Sequence, residues 1–188
     1  LGVVKLAIHK NIIVNDIGGI LELSAKTCKF AGTVPAGIVL VDGTGVGDVG
    51  SVVLRDRKLL EAALYHSSYA NESRGRCTSN ERLEFLGDAV VDLIVGQFLY
   101  ETFPDKPEGE LTKMRAALVC ESSLANAARR VSLGEYLLIG KGERGSGGAN
   151  RSSNLADAWE AMSGAIYLEL GIDAVRPIIL NNLHPEIE

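Results

Sequence analysis

The spacing of apolar residues along the chain changes once, between residues 55 and 60. Before that point, short runs of Val, Ile and Leu are broken by Gly, Pro and Asp, which reads as strands separated by turns. The predicted strands are residues 11–14, 20–23, 38–41 and 51–54. After it the period becomes helical. Leu59, Leu60, Ala63 and Leu64 form one apolar stripe, and a long helix is expected over 80–102, stopped by Phe103-Pro104. A further helix should start at Glu108 and run through Leu111, Met114 and Leu118. A break at Glu121-Ser122-Ser123 can recap a short helix reaching Val131. Residues 140–154 are rich in Gly and Ser and are expected to be a loop. Ser153 or Asn154 would cap the next helix, which runs to Leu170 and stops at Gly171. Asp173 would cap a last helix, with Pro177 late in its first turn. The pattern predicts a mainly α fold, with a β-rich segment over 1–57 and a helical domain over 58–188.

Composition narrows the class. With 46% hydrophobic and 23% charged residues, the chain suits a globular protein rather than a disordered one. No run of about 18 uncharged apolar residues suggests a membrane span, and no basic-apolar leader suggests export. Cys28, Cys77 and Cys120 are far apart and odd in number. They read as free thiols of a reducing, cytoplasmic protein. A net charge of −5 lacks the basic footprint of a typical nucleic-acid binder. Any phosphate contact must then come from a local basic patch or a bound cation.

The acidic residues are patterned. Glu81, Glu84 and Asp88 are spaced i, i+3, i+7, within about 60° of one another on a helix. Three carboxylates on one stripe repel. Apolar Leu83, Leu86, Val90 and Val91 flank them instead of lysines, so a cation is the expected compensation. Asp157 and Glu160 form a second pair at i, i+3, beside the small residues Ala156, Ala161, Gly164 and Ala165 that would let another helix come close. Two such pairs on packed helices would offer an all-oxygen site suited to Mg²⁺.

Four blocks carry a family resemblance. Asn80–Val90 (NERLEFLGDAV) is similar to the signature of the ribonuclease III family. Glu108–Ala117 and Leu155–Tyr167 resemble its second and third blocks, and Leu60–Asn71 resembles the helix before the signature. The resemblance implies an all-helical endonuclease domain. It implies metal ligands at Glu84, Asp88, Asp157 and Glu160, with Asp88, Glu160, Glu81 and Glu108 serving catalysis. It also implies a two-fold homodimer in which Phe85 enters a socket on the partner. The activity implied is Mg²⁺-dependent hydrolysis of double-stranded RNA to 5′-phosphate and 3′-hydroxyl ends, with Mn²⁺ able to substitute. The metal would lower the pKa of a bound water and take up charge on the phosphoryl oxygens. Duplex selectivity would rest on A-form shape and 2′-hydroxyls. Lys113, Arg115, Lys141 and Arg144 are candidate phosphate contacts.

The chain also departs from the family. The helix that ordinarily precedes 59–71 is not found, and no double-stranded-RNA-binding domain follows. Residues 31–57 are similar to a piece of ribonuclease J, without its His-x-His-x-Asp-His zinc motif. The chain therefore reads as a chimera joined near 55–60, by recombination or in sequence assembly. Gly45–Gly50 fits G-x-G-x-x-G, but a strand-like Ser-Val-Val-Leu follows where a dinucleotide site needs a helix, so no nucleotide cofactor is expected. His66 reads as a packing or capping residue. The competing readings are a non-catalytic RNA-binding or dimerisation module, and a defective chimera.

Overall fold

The computed structural model describes residues 4–7, 12–15, 39–40, 52–53, 56–183 and 185. Strand β1 (Val4–Ala7) pairs antiparallel with β2 (Ile12–Asn15), and β3 (Val39–Leu40) with β4 (Val52–Val53). β1 lies where no strand is expected. The predicted strand 20–23 and the Gly45–Gly50 motif lie outside the described residues.

From Asp56 onward the chain is helical. Helix α1 (Arg57–Leu64) starts where the Asp56 carboxylate accepts from the N–H groups of Lys58 and Leu59 at 2.9 and 3.1 Å. The block 60–71, expected as one helix, breaks after α1 and resumes as α2 (Ser67–Glu72). The break is at His66, extended in backbone, whose ring caps α2. Next come α3 (Glu81–Thr102), α4 (Glu108–Leu118) and α5 (Glu121–Arg130), close to their predicted spans. The Ser123 hydroxyl does not cap α5; it donates to the Ala117 carbonyl at 2.9 Å.

Three expectations near the C-terminus need correction. Residues 140–154 are not an open loop, because they contain α6 (Lys141–Gly145) and a 3-10 turn at Gly148–Asn150. Helix α7 (Ser152–Leu170) starts too early for Ser153 or Asn154 to cap it. Asn154 is buried instead, donating to the Gly148 carbonyl and the Glu143 carboxylate, both at 3.0 Å. Helix α8 (Ile172–Leu183) follows immediately, so Asp173 lies inside its first turn and Pro177 inside the helix beyond that turn. Gly171 does end α7, with a φ of 82° that favours glycine.

Helices α3 and α7 form the most extensive pairing of the fold. Two glycines permit it. A Cβ on Gly87 would overlap the Glu160 carbonyl, and one on Gly164 would lie 2.5 Å from the Leu83 carbonyl. Neither backbone can yield, so both positions exclude a side chain. Around this seam the buried residues Leu60, Leu64, Ile94, Leu99, Leu124, Trp159, Met162, Ile166 and Ile179 form the centre of one core. No helix among the described residues is long and apolar enough to cross a membrane.

Candidate metal centre

The close approach of α3 and α7 brings together acids that are 73 residues apart in sequence (84 to 157). One carboxylate oxygen each from Glu84, Asp157 and Glu160 lies within 4.8 Å of the others, and all three residues are half-buried. Asp88, one turn beyond Glu84, is exposed but close enough to raise the pKa of both Glu160 and Glu84. Glu81 is exposed at the start of α3, accepting from the Ser79 hydroxyl at 2.6 Å, and it too raises Glu84.

The electrostatics follow from crowding. Glu160 is pushed up to about 8, first by burial and then by Asp88, Glu84, Asp157 and Asp92. Glu84 is raised by burial and then by Asp157, Glu81 and Asp88. Asp157 is raised by burial, against a lowering by His66, with Glu121 adding to the rise. Burial and like charge together disfavour the ionised cluster. A hard divalent cation would offset both, and an all-carboxylate donor set on two rigid helices fits one.

Other predicted residues sit elsewhere. Glu108 is exposed at the first position of α4, accepting from the Thr112 hydroxyl at 2.8 Å, and does not join the group of three. Lys113 is exposed on α4, and Lys141 and Arg144 are exposed on α6. Arg144 donates to the Leu137 carbonyl at 3.4 Å. Arg115 lies 4.0 Å from Asp92, so its charge is partly engaged. Phe85 is 80% exposed, and Leu93 and Tyr100 continue an exposed apolar stripe beside the acidic one.

The sequence reading missed three neighbours of the cluster. Asp92 extends the Glu81, Glu84, Asp88 stripe by one turn, so its spacing was a usable signal. Glu121 and His66 come from other helices, and nothing in their spacing connects them to Asp157.

A family model described as Ribonuclease-III-like matches residues 56–187. The chain belongs to the ribonuclease-III-like family. The match begins beside the change in periodicity at 55–60. Ribonuclease 3 of Anoxybacillus flavithermus is 53% identical over 137 residues, which are 72% of this chain and 58% of that protein. Ribonuclease 3 of Enterococcus faecalis is 51% identical over 138 residues, 73% of this chain and 60% of that protein. The chain thus spans less than two thirds of these curated relatives. Among solved structures, a ribonuclease III nuclease domain from Campylobacter jejuni is 43% identical with a TM-score of 0.65. It covers 71% of this chain and 90% of that one, and is reported with flexibility in its region of dimer formation. Dicer from Pichia stipitis is 27% identical with a TM-score of 0.53, covering 71% of this chain and 56% of that one. The mainly helical fold expected from the ribonuclease III resemblance is the fold of this family's nuclease domain.

Proposed function

We propose that this ribonuclease-III-like chain is a cytoplasmic endoribonuclease that uses Mg²⁺, or Mn²⁺ in its place, to hydrolyse double-stranded RNA. The observation that carries this reading is the convergence of Glu84, Asp157 and Glu160 within 4.8 Å, with Asp88 alongside. These four residues would hold the metal. When bound, it would generate a strong nucleophile from water at neutral pH and withdraw charge from the phosphoryl group.

The chain's own residues supply placement and charge. Helices α3 and α7 hold the ligands on a rigid seam, which favours a precise site over one built on loops. Exposed Glu81 and Glu108 are further acids available near an approaching phosphodiester. Lys113, Lys141 and Arg144 are placed on exposed helix surface, where they could take phosphates without reading bases. Arg115 is the weaker candidate because Asp92 already engages it. The exposed stripe of Phe85, Leu93 and Tyr100 supports a homodimer, in which each subunit would cut one strand and leave 5′-phosphate and 3′-hydroxyl ends.

Incubation with an RNA duplex and Mg²⁺ tests the reading. Cleavage is expected with Mg²⁺ or Mn²⁺ and is expected to stop in excess chelator. Cleavage that continues in chelator would sink the metal assignment. Single-stranded RNA cut as fast as duplex would sink the substrate assignment.

A further inference from the structure

His66 has more bonds to make than a helix cap requires. Its Nδ1 accepts from the Ser68 N–H at 3.2 Å and lies 2.7 Å from the Ser68 hydroxyl. A backbone N–H is always a donor, so Nδ1 carries the lone pair. The proton of the neutral ring is then on Nε2, at the far edge. Ser68 is itself fixed, because its Oγ accepts from the Gly140 N–H at 2.9 Å and can pass its own proton to Nδ1. The backbone under the ring is tied down as well. The His66 N–H donates to the Leu138 carbonyl at 3.1 Å, and the Asn80 N–H donates to the Tyr65 carbonyl at 2.8 Å. Asn80 directly precedes α3, so the ring is anchored to the helix that carries Glu84. α1, which ends just before it, packs on α7.

We propose that His66 is a positioning residue for the metal centre, with Ser68 holding one edge of its ring and Nε2–H directed at the Asp157 carboxylate. This rests on the metal reading above. In keeping with it, the charge of His66 is felt at Asp157, where it opposes the effect of burial. A carboxylate ligand that is hydrogen-bonded from behind is held in one orientation, and loss of such a partner typically weakens metal affinity about 10- to 100-fold.

Mn²⁺ titrated calorimetrically into the whole chain, with melting measured in chelator, tests the proposal. His66→Asn keeps an acceptor at the cap, a position asparagine favours, but loses the far nitrogen. His66→Gln loses the cap geometry but can reach Asp157 with its amide. His66→Asn should melt with the parent and bind Mn²⁺ about 10- to 100-fold more weakly, and His66→Gln should bind more tightly than His66→Asn. Unchanged affinity in His66→Asn, or equal weakening in both, overturns the role. If His66→Asn melts below the parent, His66→Gln is compared with His66→Ala, which also lacks the cap. Tighter binding by the glutamine variant supports the proposal, and equal binding overturns it. A parent that takes up no Mn²⁺ overturns the metal reading itself, and His66 with it.

Discussion

Glu160 concentrates the chemistry of the centre in one side chain. Its carboxyl is pushed from an ordinary 4.5 up to about 8, so folding disfavours its ionised form. Without metal, its penalty is absent below about pH 4.5 and grows as pH rises from there towards about 8. Glu84 and Asp157 are raised too and act in the same direction. The Tm of the metal-free protein should therefore fall between pH 5 and pH 8, and Glu160→Gln should flatten that fall. Mg²⁺ binds the ionised form and releases a proton, so it should raise Tm more at pH 8 than at pH 5.5. A metal-free Tm that climbs steadily over this range would contradict the crowding argument. In cleavage assays, Glu160→Gln and Asp88→Asn should each abolish activity while duplex binding, read by gel shift, stays near the parent. A variant that cuts at the parent rate would remove that residue from the ligand set.

At the scale of elements, the seam between α3 and α7 decides whether the site exists. Gly87→Ala would set a methyl group against the Glu160 carbonyl, and the helices would have to part. Overpacking of this kind costs about 1–3 kcal/mol. Stability and Mg²⁺ affinity should fall together, since the same displacement moves Glu84 away from Asp157 and Glu160. Gly109→Ala is the contrasting substitution, because a Cβ there meets nothing within 4 Å. In helix α4 it should be neutral or stabilise by up to about 1 kcal/mol. Denaturant melts of the two variants side by side check this. A Gly87→Ala protein as stable as Gly109→Ala would show that the seam is looser than described.

At the scale of the whole molecule, the exposed apolar stripe on α3 has no partner within the described fold. Phe85 at 80% exposure, Leu93 at 58% and Tyr100 at 74% lie within about 80° of one another around the helix. Such a stripe beside an acidic cluster suits a second copy, whose own apolar stripe would cover it without adding charge. The parent should be dimeric at micromolar concentration by light scattering, and Phe85→Asp should yield folded monomers. A monomeric parent would contradict the assembly without touching the metal centre.

The sequence by itself determined much of this protein from residue 57 onward. Apolar periodicity located α3, α4, α5 and the body of α7, because a helix records its buried face every three to four residues. The same periodicity placed Glu84 with Asp88, and Asp157 with Glu160, on common faces. It could not separate α1 from α2, since the break at His66 depends on a ring accepting a local N–H and on the Leu138 carbonyl far along the chain. Nor could it find α6 or the true role of Asn154, because both are held by contacts to Glu72, Ser68 and Glu143 rather than by a repeating pattern. The family blocks paired the two acidic helices, but only tertiary packing decided which oxygens meet and how strongly they repel. Gly87 against Glu160 sets the helix spacing, that spacing sets the distances, and burial between the helices turns ordinary carboxylates into a cluster that a cation would stabilise.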